Sequence, residues 1–401
     1  MKILVVAPFY KPAYIYGGPV RSVSALCEGM ARAGAQVQVL TTDANGRGQR
    51  LPSATDRPMM VDGVEVFYLP HAPVPLMPLF FYSPALGRAC REMMGQFDAA
   101  YLAINWNHPT MSAAQAAMRA GVPYVFSPRG CFMNWAMQQL WWQKRLYLAL
   151  IERRLMDHAA AIHCTGAMEE AQLRAWHFRP PTFVVPNGLD MAPFRRLPAR
   201  GELRQSLGIP LAATVSLLVG RLHKMKRVGH TVQVFAEVAR TLPGAHLVIA
   251  GPDEDGSGQA AQELARTLGV SERVHFAGLL TGGALLQAYA DANLLVLLSH
   301  RENFGMVVAE GMAAGLPVLI SDQVGLAEEV KQAEAGRVAA DDEHEAAQTW
   351  QALLTLPNLR AMGARGQTLV STHFDSEIVA AQMRNALTRI AAQAHRLGNV
   401  G

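Results

Sequence analysis

Short apolar runs recur along the chain, separated by stretches in which apolar residues return every three or four positions. The first pattern fits strands and the second fits helices. One set of strands is predicted at Ile3 to Ala7, Val37 to Thr41, Val64 to Leu69, Tyr101 to Ile104 and Tyr124 to Phe126. A second set is predicted at Thr214 to Val219, His246 to Ala250, Val274 to Phe276, Leu294 to Leu298 and Val318 to Ile320. Helical spacing covers Arg21 to Ala33, Met111 to Ala120, Val228 to Thr241 and Met306 to Ala314. Several strand runs are apolar throughout, as expected where both faces are covered. This alternation predicts a parallel α/β architecture.

Turn residues and prolines cluster at Pro186-Asn187-Gly188-Leu189-Asp190, Pro193 and Pro198, which suits a linker near residues 186–210. At roughly 150 residues per domain, 401 residues accommodate two or three domains. The division read from the chain is residues 1–190, residues 191–375 and a terminal helical segment, 376–401, able to pack back on the first domain. An internal echo suggests related halves. Ala120-Gly121-Val122-Pro123-Tyr124-Val125-Phe126-Ser127 resembles Ala314-Gly315-Leu316-Pro317-Val318-Leu319-Ile320-Ser321. In each, glycine ends a helix and the residue before proline is pushed into extended conformation. The echo places the loops 105–109 and 300–305 at equivalent strand C-terminal ends, where open α/β sheets bind ligands.

Composition narrows the function. Half the residues are hydrophobic and 17% are charged, which excludes a disordered scaffold. A net charge of +4, from 36 basic and 32 acidic residues, is too mild for a dedicated nucleic-acid binder and compatible with anionic substrates. Cys27, Cys90, Cys131 and Cys164 form no close pair, so no disulfide framework or structural zinc is expected. No run approaches the ~20 apolar residues that span a bilayer, and Tyr10, Lys11 and Pro12 interrupt the apolar start. The expectation is a cytoplasmic protein, at most peripheral on a membrane.

The chemistry concentrates in two segments of the second half. In Ser299-His300-Arg301-Glu302-Asn303-Phe304-Gly305-Met306-Val307-Val308-Ala309-Glu310, a strand ends, a polar loop follows and a helix starts near Asn303 to Met306. The free amides of such a start form an anion site, and Gly305 lets a phosphate approach the backbone. Glu310 lies deeper in the helix, at ~1.5 Å per residue about the distance from a diphosphate to its ribose hydroxyls. The second segment is Gly220-Arg221-Leu222-His223-Lys224-Met225-Lys226-Arg227, also at a strand end. Arginine offers a planar fork to phosphate oxygens and lysine a compact charge.

The pattern S-x-R-E-x-F-G-x-x-x-x-E-x-M-A-x-G-x-P-V, carrying Glu302 and Glu310, resembles the retaining family-4 glycosyltransferases of GT-B fold. In that fold two Rossmann-like domains face a central cleft. Gly220-Arg221-Leu222 with Lys226, Pro186-Asn187-Gly188-Leu189-Asp190 and the pair Gly17-Gly18 fit the same family. The likeness covers nearly the whole chain and is most specific in the C-terminal half.

That resemblance implies roles. Arg221 and Lys226 would hold the donor diphosphate and stabilise the departing nucleotide, assisted by the backbone of Asn303, Phe304, Gly305 and Met306. Glu310 would bind the ribose, and Glu302 the donor sugar or its phosphate side. Gly17 and Gly18 would form the first-domain loop nearest the diphosphate. Transfer would retain anomeric configuration by front-face displacement, through charge stabilisation and positioning rather than a protein nucleophile. The nucleotide sugar would be a co-substrate, with no cofactor and no metal. The acceptor would be a glycan, lipid-linked or part of a bacterial surface polysaccharide. Base recognition would rest on backbone around Gly278 to Leu280.

Departures leave the first-domain contacts open. In Ser127-Pro128-Arg129-Gly130, Arg129 replaces a histidine found in many members, resembling a subgroup associated with bacterial surface polysaccharides. Asn105, Trp106, Asn107 and His108 fill a loop where histidine is frequent, and Lys226 is followed by Arg227 rather than glycine. Asn105, His108 and Arg129 are therefore all candidates for acceptor or sugar contact.

Three further features stand apart. Asp253-Glu254-Asp255 could hold Mg²⁺ or Mn²⁺ beside phosphates, but Gly251, Pro252, Gly256 and Gly258 favour an exposed acidic turn. Ala72 to Pro84 is unusually apolar for a loop, with Leu76, Met77, Leu79, Phe80, Phe81 and Tyr82. In Phe132 to Leu155, Trp135, Trp141, Trp142 and Tyr147 mix with Lys144, Arg145, Arg153 and Arg154, which suits anionic lipid. The stripe Leu140, Tyr147, Leu148, Ile151 and Leu155 suits a core equally well. A nicotinamide dehydrogenase is excluded, because no strand is followed by G-x-G-x-x-G. A nucleotide-sugar 2-epimerase and an inactive glycan-binding scaffold remain as alternatives.

Overall fold

The computed structural model describes residues 1–46, 48–51, 57–72, 74, 80–138 and 141–398, without the side chains of 395, 397 and 398. Leu76, Met77, Leu79 and Leu140, singled out above, lie outside the described residues. The chain divides into two compact units, Met1–Gly188 with Ser376–Gly401 (unit 1) and Leu189–Asp375 (unit 2). Each is built on its own sheet.

Unit 1 holds β1 (Lys2–Val6), β2 (Gln36–Thr42), β3 (Met59–Val61), β4 (Val64–Leu69), β5 (Ala99–Ala103), β6 (Tyr124–Ser127), β7 (Ala161–Cys164) and β8 (Thr182–Val184). Their order is β3-β4-β2-β1-β5-β6-β7-β8, parallel except for the β3–β4 hairpin. Its turn is Asp62-Gly63, both with positive φ, which joins twisted antiparallel strands without splaying them. β5 is buried along its whole length, and of β1 only Lys2 is exposed, which explains the unbroken apolar runs.

Unit 2 holds β9 (Thr214–Val219), β10 (Ala245–Ala250), β11 (Val274–Gly278), β12 (Leu294–Leu297), β13 (Val318–Ser321) and β14 (Gly336–Ala339). Their order is β11-β10-β9-β12-β13-β14, all parallel. In both sheets the order reverses beside the first strand of the unit, between β1 and β5 and between β9 and β12. Ligands of open α/β sheets bind at such reversals, outside the strand C-termini. The sequence echo maps onto this likeness: β6 pairs with β5 as β13 pairs with β12.

The helix Ser376–Gly398 belongs to unit 1 and packs along the helix Gly18–Arg32. Its Val379, Ala380, Met383 and Leu387 are buried in one core with Val23, Cys27 and Met30. Arg32 Nε adds a bond to Glu377 Oε1 at 2.6 Å, exposed and therefore weak.

Candidate functional site

In unit 2, β9 ends at Val219 and the chain turns at Gly220, with φ +147°. A Cβ there would lie 3.1 Å from Cε of Lys226, so glycine leaves room for the lysine stem. Lys224–Lys226 is a single 3₁₀ turn capped by His223 Nδ1, which accepts from the Met225 amide at 3.1 Å. Lys226 Nζ donates to Glu302 Oε2 at 2.5 Å, and the two side chains are 12% and 26% exposed. Arg221 Nη1 donates to Glu254 Oε1 at 2.7 Å, near the surface.

The loop after β12 is fastened from two sides. The His300 amide donates to the Met225 carbonyl at 2.8 Å, and the Glu302 amide to the Gln323 carbonyl at 3.0 Å. Gly305, at φ +97°, caps the helix Met306–Ala313, and a Cβ there would lie 2.9 Å from Val324. Phe304 is buried edge-on against Phe374, so only its backbone can meet a ligand. Asn303 and Met306 are half-buried beside it. Glu310 is half-buried, and its Oε2 accepts from the Tyr289 hydroxyl at 2.6 Å. Unit 2 thus gathers Lys226, Glu302 and the backbone at Phe304, Gly305 and Met306 at the ends of β9 and β12. Glu254 and Tyr289 are partners that the sequence did not disclose. Tyr289 sits among Leu285, Leu286, Ala288 and Ala290, where a tyrosine reads as core.

A cavity of about 310 Å³ opens beside these loops, lined by Leu222, Pro252, Gln259, Phe276, Gly278 and Leu279 among others. The acidic turn next to it is engaged with backbone. Asp253 accepts from the amides of Gly256 and Gln259, at 3.0 and 2.9 Å, and Asp255 from Ser257 and the Lys224 amide. These bonds, the Gln259 amide first for Asp253 and the Ser257 hydroxyl first for Asp255, hold both carboxyls below the usual range.

In unit 1, Gly17 ends the turn Tyr14–Tyr16 and caps the helix that starts at Gly18. Arg129, after β6 and at φ +51°, is engaged at both of its terminal nitrogens. Its Nη1 donates to Ser22 Oγ and Asn187 Oδ1, at 2.8 and 2.9 Å, and its Nη2 to the Tyr101 hydroxyl at 3.0 Å. Behind it, His163 Nε2 donates to the Val185 carbonyl at 2.7 Å, leaving Nδ1 to accept from Tyr101 and Ser127. Burial, and then the Arg129 charge, pushes His163 down to about 3, so the ring is neutral.

Asn105 and His108 turn inward. Asn105 is buried between two residues with positive φ, Ile104 and Trp106, and donates to the Glu152 carboxylate and to Met156 Sδ. Burial pushes Glu152 up to about 7, opposed by the Asn105 bond and the Trp106 amide. His108 is wedged beside the Ser83 amide and the Ser112 hydroxyl, each at 3.3 Å, and burial, then Arg91, lowers its pKa. Of the three candidates only Arg129 stays half-exposed. The stretch 132–155 divides between its two readings: Leu148 and Leu155 are core, while Trp141, Trp142, Leu146 and Leu150 are each more than half exposed.

Comparison with known proteins agrees with this architecture. The family described as glycosyl transferases group 1 matches residues 199–366, and the glycosyl transferase 4-like domain matches residues 17–188. The D-inositol 3-phosphate glycosyltransferase of Actinosynnema mirum is 28% identical over 336 residues, 78% of this chain and 77% of that one. Against further proteins of that name the chain spans about half of their length or less. Among solved structures, sucrose-phosphate synthase from Thermosynechococcus elongatus superposes with a TM-score of 0.75 at 22% identity, covering 98% of this chain and 99% of that one. HepE of Anabaena, in complex with UDP-glucose, gives 0.71 at 20%, covering 97% and 100%. These two likenesses concern the fold. The chain belongs to the family-4 glycosyltransferases of GT-B fold.

Proposed function

We propose that the protein transfers a hexose, with retention of anomeric configuration, from a nucleotide sugar to a glycan destined for the bacterial cell surface. The observation that carries this reading is the grouping of Lys226, Glu302, the backbone at Gly305 and the deeper Glu310 at one sheet edge. Cation, helix amides and carboxylate there follow the order of diphosphate and ribose along a nucleotide. The arriving diphosphate takes Lys226 and Arg221 from their carboxylate partners, Glu302 and Glu254. Glu302 then turns to the sugar hydroxyls, and Glu310, braced by Tyr289, accepts from the ribose. The cavity at Gly278 and Leu279 takes the base. As the glycosidic bond breaks, charge builds on the leaving phosphate, and Lys226, Arg221 and the helix amides stabilise it in place. A donor phosphate oxygen receives the acceptor proton on the same face, which accounts for retention without a protein nucleophile. In unit 1, Arg129 fastens Ser22, and with it the helix after Gly17-Gly18, to Tyr101.

No divalent metal is required on this reading, since Asp253 and Asp255 are already engaged by backbone amides. The acceptor is met at a membrane surface. Trp142, Leu146 and Leu150 follow at four-residue intervals, Arg145 lies over Trp141 at 5.7 Å, and Arg154 is exposed nearby. An apolar row edged with arginine suits the boundary of an anionic bilayer. Among the described residues no helix is long and apolar enough to cross one.

Thermal unfolding with UDP, GDP, ADP and dTDP in EDTA tests the donor half. A ligand at ~100 times its Kd should add about 2.7 kcal/mol, a rise of a few degrees. A rise with one nucleotide names the donor, and the matching sugar nucleotide with a lipid-linked acceptor should give an α-linked product from an α-linked donor. An inverted product refutes retention, and sugar-nucleotide isomerisation without acceptor would establish the 2-epimerase.

A further inference from the structure

We propose that the C-terminal edge of the unit 1 sheet carries a site for a carbohydrate hydroxyl, centred on Nε2 of His71 and oriented by Asp43. This rests on the glycosyl-transfer reading above and names a residue that meets the acceptor.

Thr42 and Leu69 lie opposite each other in the parallel β2–β4 pair, so Asp43 and His71 emerge side by side at the sheet edge. The Asp43 backbone is pinned, its amide donating to the Leu69 carbonyl at 3.0 Å and its carbonyl accepting from the Leu51 amide at 2.7 Å. Its side chain is buried. Oδ1 accepts twice from His71, from the backbone amide at 3.1 Å and from ring Nδ1 at 2.6 Å. An ionised carboxylate has no hydrogen to give, so Nδ1 carries the hydrogen, and in the neutral ring the lone pair stands on Nε2. Arg50 closes the group, with Nη1 3.7 Å from Asp43 Oδ2 and Nη2 donating to the His71 carbonyl at 2.7 Å.

The ring also lies near an aromatic cluster. Phe81 lies 6.2 Å from it, edge-on to both Phe9 and Tyr16, which stack at 4.3 Å. Tyr16 directly precedes Gly17, and the neighbouring Tyr14 and Ile15 are each more than half exposed. The imidazole is therefore fixed through its backbone and its Nδ1. Its Nε2 has no hydrogen-bond partner among the described residues, and the side chain stays 14% exposed. As a loop fastening, the bond from the His71 amide to Asp43 would suffice. The ring adds an oriented lone pair at the surface, with the buried Phe81 behind it. A sugar hydroxyl matches that lone pair, donating its hydrogen to the nitrogen.

Ring-¹⁵N histidine NMR of the full chain reads the site without substitution, with His71 assigned by the signal missing in His71→Gln. The expected result is the Nδ1–H tautomer and a displaced Nε2 resonance on adding methyl or octyl glycosides of glucose, galactose or mannose. The other tautomer, or an Nε2 signal unmoved by every glycoside, overturns the proposal. In the transfer assay His71→Ala should raise the acceptor KM about tenfold, the worth of one hydrogen bond of ~1.4 kcal/mol, and leave the donor KM alone. His71→Gln, whose amide oxygen accepts the same hydrogen, should recover part of that loss. Equal changes in both KM values, at parent-like melting points, would reveal a structural role and overturn the proposal. Nucleotide-dependent melting separates the failures: binding with a silent His71 removes this inference alone, whereas no binding by any nucleotide removes the glycosyl-transfer reading beneath it.

Discussion

The two units place their polar side chains differently around their sheets. In unit 2, Lys226 pairs with Glu302 and Arg221 with Glu254, all of them reached by solvent. These are pairs a charged ligand can open, because water and phosphate can replace either partner. In unit 1, Asn105, His108 and His163 are buried and bonded inward, and Arg129 is tied to three side chains at its tip. Removing one member there leaves the others unsatisfied out of water, which costs folding free energy first. Substitutions in unit 2 should therefore register in donor binding and rate, and those in the unit 1 network in stability.

The sharpest break of that contrast is Lys226→Ala. It should lower transfer about 10²–10³-fold, ~3–4 kcal/mol of lost charge stabilisation, while the melting point moves little. A parent-like rate measured by product formation would remove Lys226 from the site.

Glu152→Gln tests the other side. The folded chain binds the Glu152 proton more tightly than the unfolded chain, since burial raises the group from 4.5 to about 7. Its contribution to stability is full below about pH 4.5 and is lost as pH rises through 7, a difference on the order of 3 kcal/mol. Glutamine keeps an oxygen for Asn105 and carries no charge. The variant should melt with the parent at pH 4.5 and several degrees above it at pH 8, with nucleotide affinity unchanged. Identical melting at both values would mean that Glu152 is not buried as described.

Glu310→Gln should weaken nucleotide binding about 10–100-fold, the range for a hydrogen bond to a charged group, with its Tyr289 contact retained. Calorimetric titration against the parent decides it. Trp142→Glu with Leu146→Glu should leave the fold within about 0.5 kcal/mol, because both residues are exposed. The pair should nevertheless abolish co-sedimentation with phosphatidylglycerol vesicles, and retained co-sedimentation would move any membrane contact elsewhere.

How far the sequence disclosed all this depended on what fixes each residue. Long apolar runs such as Leu294 to Leu298 are buried on both faces, and all ten strands expected from them are present, within two residues at either end. The four strands not anticipated are short: Met59–Val61, Ala161–Cys164, Thr182–Val184 and Gly336–Ala339. A signal for the first was present in Asp62-Gly63, a hairpin dipeptide between apolar neighbours. The positions of Lys226, Glu302 and Gly305 were legible because each follows a strong strand by a fixed count. Asn105 and His108 were not, because whether a polar residue faces a ligand or an internal carboxylate is decided by distant packing, here Glu152 and Ser83. Asp43 and His71, 28 positions apart, carry no local motif, and only the β2–β4 register joins them.

The return of the helix Ser376–Gly398 to the core of unit 1 has a consequence for the order in which the protein is made. A ribosome completes every residue of unit 2 before the segment bearing Val379, Met383 and Leu387 emerges. Until then Val23, Cys27 and Met30 lack their cover, so unit 1, though first in sequence, is the last to be finished. A nascent chain would pass through a stage with unit 2 closed and one apolar helix face of unit 1 open, the point at which it most needs a chaperone.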